Sequence, residues 1–91
     1  MKQITIQLDT VEGEKMSRSQ AREILRESDT FDRVILDFEH VSTVGQAFAD
    51  EIYRVFQNTH PSIEIKEEHM SEGVRFMVER AKNEVKNRNK Q

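Results

Sequence analysis

A run of three aliphatic residues near the middle of the chain limits the folds that are open to it. Val34, Ile35 and Leu36 follow one another within residues 31–38, which is typical of a strand that is covered on both faces. Residues 4–8 and 63–65 instead alternate apolar and polar side chains, the period of a half-buried strand. We therefore expect three main strands, with residues 31–38 at the centre of the sheet.

Helix-type patterns separate and follow these strands. Ser17 with Gln20 forms a capping box ahead of the first helix, residues 46–56 repeat apolar side chains every three or four positions, and Ser71 caps a last helix. Residues 9–16 contain Gly13 and predict an irregular arm with a second short strand through Val11. The order β-(β)-α-β-α-β-α predicts an α/β fold with a mixed or parallel sheet of three to five strands.

The composition predicts a small apolar core and excludes several classes of function. The 91 residues are 35% apolar and 34% charged, against typical values of about 45–50% and about 25%, so we expect one domain over residues 1–91 with a frayed basic tail over about 86–91. The absence of cysteine excludes disulfides and thiolate ligands. A net charge of −3 gives no reason to bind nucleic acid or a membrane. No stretch is typical of a signal peptide, so we expect a cytoplasmic protein.

The segment after the central strand is the best candidate for function. Open α/β sheets bind ligands and partners at the carboxyl ends of their strands. Asp37 lies near that end, and Ser42, Thr43, Gly45 and Gln46 lead into the next helix. Gly45 indicates an unusual backbone angle or a close approach of another chain segment. Gln46 suits either partner recognition or bracing of the loop.

Charged residues on the two helices next to this loop allow two interpretations. Asp50 and Arg54 form an i,i+4 pair on the helix that starts near Gln46, and together with Glu51 they either stay solvated or face a partner. Tyr53 beside them suits either an interface anchor or packing. On the first helix Arg18, Arg22 and Arg26 share one face; they either pair with Glu23 and Glu27 in solvent, or Arg18 and Arg22 form a secondary basic patch for an acidic partner.

The stretch VILDFEHVSTVGQAFADEIYRVF at residues 34–56 resembles the core of STAS-type domains, the fold of anti-sigma-factor antagonists. With SRSQAREIL upstream and HPSIEI downstream, the sequence is similar to a bacterial STAS-like family of unassigned function. The resemblance spans about residues 3–81, and GQAFADEIYR is its most specific part. It implies a sheet with helices mainly on one face and a regulatory role in protein–protein interaction, often with a histidine-kinase-like ATPase.

The resemblance fails at one functional position. In the phosphorylatable STAS proteins the loop carries Asp-Ser-Ser-Gly, and its second serine accepts phosphate from the partner kinase. Ala47 stands in the matching place here and has no hydroxyl. Ser42 and Thr43 are the nearest hydroxyls and are the candidate phosphoacceptors, although both residue types are also ordinary in loops and caps.

We therefore predict a regulatory interaction module that is not an enzyme and uses no cofactor and no metal. Its predicted partner-binding residues are Ser42, Thr43, Gly45, Gln46, Asp50, Glu51 and Arg54. One alternative is a small-ligand site or a metal-dependent enzyme site at the strand ends, where Asp37 with Asp50 or Glu51 holds a magnesium ion. Another is a regulatory or antitoxin-like subunit of a two-gene system, which includes self-association as a homodimer. The three histidines stand in loops without a metal-binding spacing.

Overall fold

The computed structural model describes residues 1–10 and 14–88. Within these ranges three parallel strands form one sheet in the order β1-β2-β3, with β1 at Gln3–Gln7, β2 at Arg33–Asp37 and β3 at Glu64–Glu68. The strands are in register, so that Gln7, Asp37 and Glu68 end side by side. The predicted strand through Val11 lies outside the described residues.

The helices of the described chain follow the predicted order. Helix α1 is Arg18–Leu25, and the predicted capping box is present, because the Ser17 side chain accepts from the Gln20 backbone and the Gln20 side chain accepts from the Ser17 backbone. Helix α3 is Glu72–Arg88, and its Val74 N–H donates to the Ser71 hydroxyl at 3.1 Å. It thus extends into the basic segment that the sequence predicts to fray.

Helix α2 is continuous but not uniform. An α-helical turn at Gln46–Asp50 passes into a π-helical segment at Glu51–Phe56 and ends with Gln57–Thr59. In π-helix the hydrogen bonds join residues five apart. Tyr53 is buried together with Ala49, Ile52 and Phe56, at the ordinary helical spacing of three and four. Val55, an apolar position of the predicted helical stripe, remains half-exposed.

Among the described residues, one face of the sheet packs against the helices and the other is open. Val34 and Leu36 are fully buried and pack in the core with Phe48, Ile52 and other residues. The prediction that β2 is covered on both faces is wrong, because Ile35 is only half-buried and lies between exposed neighbours on β1 and β3. The alternation of polar residues on those two strands, and not the apolar run on β2, identifies the open face.

Candidate functional site

The loop from β2 to α2 is fixed at its α2 end by a close backbone contact. Val44 is buried, and the Gly45 N–H donates to the Lys15 carbonyl at 2.7 Å. A Cβ atom at Gly45 would lie 2.6 Å from the carbonyl oxygen and 2.8 Å from the Cα of Met16. Because Gly45 has an ordinary φ of −79°, the glycine serves this close approach and not an unusual backbone angle.

The start of α3 holds the same loop from another side. The Ser71 hydroxyl donates to the Ser42 carbonyl at 2.8 Å, and that carbonyl also lies against Gly73, where a Cβ atom would be only 2.6 Å away. The side chains of Ser42 and Thr43 remain exposed. Backbone contacts therefore fix the loop and leave its two hydroxyl side chains accessible.

Asp50 is bound by two arginines at the start of α2. Arg54 donates from Nε to Oδ1 at 2.9 Å and from Nη2 to Oδ2 at 2.7 Å, and Arg18 of α1 donates from Nη1 to Oδ2 at 2.6 Å. These hydrogen bonds, those from Arg54 first, lower the pKa of Asp50 to about 2. The predicted i,i+4 pair is present, but it is part of an interhelical cluster in which the Asp50 side chain is only 15% exposed.

The arginine face of α1 packs toward acidic residues of α2. Glu51 is buried, and its Oε1 lies 3.5 Å from Nη1 of Arg18 and 3.9 Å from Nη1 of Arg22. The predicted pairing with Glu23 and Glu27 is replaced for Arg18 and Arg22 by acidic side chains of α2, while both guanidinium groups keep part of their surface in solvent, so the proposed basic patch stays a prediction. Arg26 pairs along α1 as predicted, with Glu23 at 3.4 Å.

The structure divides the predicted partner-binding residues into accessible and buried ones. Glu51 and Gly45 are buried, so the prediction that they contact a partner directly is wrong: one is sealed by α1 and the other by residues 15 and 16. Ser42, Thr43 and Gln46 are exposed, and Arg54 is half-exposed. A depression of about 350 Å³ is lined by Arg18, Gln46, Ala47, Asp50, Arg54 and Glu84, whereas Ser42 and Thr43 line a different depression of about 370 Å³.

Tyr53 has a packing role. It is 6% exposed, and its hydroxyl donates to Oε2 of Glu67 at 2.8 Å. Nζ of Lys82 lies 3.2 Å from the same carboxylate oxygen and 5.2 Å from the centre of the tyrosine ring. Burial raises the pKa of Tyr53. The interpretation of Tyr53 as an interface anchor is therefore wrong, because the ring lies between α2, β3 and α3.

A second group of ionisable residues lies at the carboxyl ends of β2 and β3. Oδ1 of Asp37 accepts the Glu39 N–H at 3.0 Å and lies 2.9 Å from Nδ1 of His69. These two hydrogen bonds lower the pKa of Asp37, and the same carboxylate raises the pKa of His69. Asp37 is buried, whereas Glu68 and His69 are exposed.

Sequence reasoning did not find this second group. Asp37 does not meet Asp50 or Glu51 as the magnesium alternative required; of the described residues, those that could share a metal ion with Asp37 are Glu68 and His69. The signal was available in the strand pattern, because the last residues of parallel neighbouring strands meet at one edge of the sheet. It was missed because His69 was considered only as an isolated loop residue.

Comparison with known proteins places the chain in a family. No helix among the described residues has the length and apolar character needed to cross a membrane. Searches of the curated proteins and of the solved structures found no match. The family model for the STAS-like domain of unknown function (DUF4325) matches residues 20–75, which include β2, the loop, α2 and β3. The chain therefore belongs to the family of STAS-like domains of unknown function (DUF4325).

Proposed function

We propose that this STAS-like domain is a regulatory module that binds a protein partner of the histidine-kinase-like ATPase class. The proposed contact area is the α2 surface, defined as Ser42, Thr43, Gln46, Arg54 and Arg18. The observation that carries the proposal is that Gln46 is exposed beside two arginines whose positions are fixed by Asp50. Groups that are already held in place lose little conformational entropy when a partner binds.

The chemistry of this surface favours recognition over catalysis. The Asp50 carboxylate, whose pKa is about 2, is a poor proton acceptor near neutral pH, because a general base needs a pKa close to the working pH. Charged and amide groups on a rigid surface instead select a partner by complementary hydrogen bonds and fix its orientation. We therefore expect the domain to act by binding, in the cytoplasm, without a cofactor of its own at this surface.

Ala47 determines how such binding is regulated. Its methyl group lines the same depression as Gln46 and Arg54, at the position that carries the phosphoacceptor serine in the phosphorylatable STAS proteins that the sequence resembles. Without a hydroxyl the partner kinase cannot switch the complex at residue 47. We expect binding that does not depend on phosphorylation of this position.

The test is the affinity for a purified histidine-kinase-like ATPase from the same organism, measured by calorimetry with variants of exposed residues. Gln46→Ala and Thr43→Lys are expected to weaken binding by at least tenfold, which corresponds to about 1.4 kcal/mol. Asn58→Ala, an exposed position at the far end of α2, is the matched control and should bind normally. Equal affinity of all four proteins would contradict the proposed surface, and self-association by light scattering would favour the homodimer instead.

A further inference from the structure

The carboxyl edge of the sheet brings three metal-ligating side chains together, away from the α2 surface. Asp37 and Glu68 are register partners at the ends of β2 and β3, so their side chains leave the same face of the sheet. His69 follows Glu68 directly, and the backbone N–H of Phe38 donates to the Glu68 carbonyl at 2.9 Å. The strand pairing therefore sets the relative positions of the three residues.

The spacing of these groups suits a single small cation. One ligand atom from each of Asp37, Glu68 and His69 lies within 4.8 Å of the other two, and ligands at about 2.0–2.2 Å from one ion are necessarily within about 4.4 Å of one another. Modest rotation of the exposed Glu68 side chain covers the difference. The donor set of one imidazole and two carboxylates matches the borderline preference of Zn²⁺ and similar ions.

Two observations distinguish this cluster from ordinary charged groups on a protein surface. Asp37 is only 7% exposed, and the Glu39 N–H fixes its carboxylate, as second-shell donors fix metal-ligating carboxylates. The imidazole of His69 is already directed at that carboxylate, at 2.9 Å from Nδ1 to Oδ1, with a backbone φ of 57° that few residues other than glycine, asparagine, aspartate and histidine adopt.

We propose that Asp37, Glu68 and His69 form a binding site for a divalent first-row transition-metal ion such as Zn²⁺. The ion binds between Nδ1 of His69 and Oδ1 of Asp37, which now lie 2.9 Å apart. Any proton on Nδ1 passes to solvent as the ion binds, and solvent molecules complete the coordination. Glu39, whose Oε2 lies 3.9 Å from Nδ1 of His69, stands close enough to add negative charge. The site is independent of the proposed partner-binding surface.

The test is calorimetric titration of the untagged, chelator-treated full chain with ZnCl₂, together with NMR detection of the histidine ring nitrogens. We expect one equivalent of Zn²⁺ to bind and to shift the ring nitrogens of His69 but not those of His60. Glu68→Gln and His69→Asn should each weaken Zn²⁺ binding by at least about tenfold, because mutation of residues that only hydrogen-bond to metal ligands already lowers metal affinity by that factor. Asparagine is chosen because it accepts the left-handed backbone, and His60→Gln is the control for loss of an imidazole.

Three results would overturn the proposal. The first is the absence of saturable Zn²⁺ binding to the wild-type chain, and the second is an unchanged Zn²⁺ affinity of Glu68→Gln. The third is MgCl₂ binding as tight as ZnCl₂ binding, because it would mean that the imidazole takes no part. Glu68 is exposed, so its variant should fold normally even if His69→Asn does not. The NMR measurement on the wild-type chain needs no variant at all.

Discussion

The guanidinium of Arg18 on α1 and the carboxylate of Asp50 on α2 are joined by a hydrogen bond of 2.6 Å. This contact links two helices that come from opposite sides of β2 in the sequence. Arg54 binds the same carboxylate through two further hydrogen bonds, so the negative charge of Asp50 is already paired with two cations of its own chain. Asp50 therefore organises the two arginines, and these together with Gln46 are what a partner can reach.

Replacing Asp50 with asparagine should reduce the pH dependence of the free energy of unfolding in the acid range. The folded-state pKa of Asp50 is about 2, against an ordinary value of 3.8. The ionised carboxylate therefore stabilises the folded state at pH values above the unfolded-state pKa. This stabilisation is lost as the pH falls through the folded-state pKa. We expect Asp50→Asn to lower the free energy of unfolding by about 2 kcal/mol near pH 7, with a difference that shrinks steadily between about pH 4 and pH 2.

Urea unfolding of the wild-type and variant chains at several pH values measures this difference. Asp29→Asn, at an exposed position, is the control for loss of one carboxylate and should change stability by less than about 0.5 kcal/mol. A constant difference between wild type and Asp50→Asn across the acid range would show that the hydrogen bonds, and not the charge, supply the stability.

Gly45→Ala should destabilise the fold by about 1–3 kcal/mol, the usual cost of forcing an extra methyl group into a packed site. The added Cβ would meet the backbone of Met16 at 2.6 and 2.8 Å, and a backbone segment cannot rotate away as a side chain can. Ser42→Ala in the same loop, at an exposed position, is the matched control. Thermal or urea unfolding gives both values, and equal stability of the two variants would contradict the close approach.

Tyr53→Phe should lower the stability of the fold without changing its affinity for a partner. The variant loses the hydrogen bond to the Glu67 carboxylate, and hydrogen bonds to charged groups contribute about 1.5–3 kcal/mol. We expect reduced stability by urea unfolding with unchanged affinity for the ATPase partner, because Tyr53 is buried below the α2 surface. Weaker partner binding by a folded Tyr53→Phe chain would restore the interface role that the structure argues against.

Incubation with the partner kinase and ATP should leave the intact mass of the chain unchanged. Residue 47 is alanine, and the exposed hydroxyls of Ser42 and Thr43 line a separate depression from that of Ala47. Mass spectrometry detects one added phosphate directly. An added phosphate would contradict this prediction, and Ser42→Ala and Thr43→Ala would then show whether one of these two hydroxyls accepts it.

The sequence was sufficient for the elements whose signals are local. The capping box at Ser17, the cap at Ser71 and the alternation on β1 each depend on residues a few positions apart, and the structure contains all three. The helical spacing also located α2, but nothing in it indicated the π-helical segment at Glu51–Phe56. The burial of Tyr53 fits the ordinary helical repeat, because Tyr53 lies four residues after Ala49 and three before Phe56, which are both buried. Its phenol ring alone left the packing and interface interpretations open.

The parts that the sequence did not reveal depend on contacts between distant segments. The partners of Arg18 lie more than thirty residues away on α2, and spacing along α1 suggested only Glu23 and Glu27. The same holds for Asp37 and His69, which meet only because β2 and β3 pair in register. The order of the strands predicted that the loop and the start of α2 lie at the carboxyl edge of the sheet, whereas the burial of Gly45 and Glu51 was not predictable from it.

The most direct measurement is NMR mapping of the contact area on the isotope-labelled chain as the purified histidine-kinase-like ATPase is added. We expect the backbone amide signals to change most at Ser42, Thr43, Gln46 and Arg54, and those of Thr5 and Lys66 on the open sheet face to stay in place. Changes confined to the open sheet face, with the α2 surface unaffected, would show that this domain does not bind its partner beside Gln46.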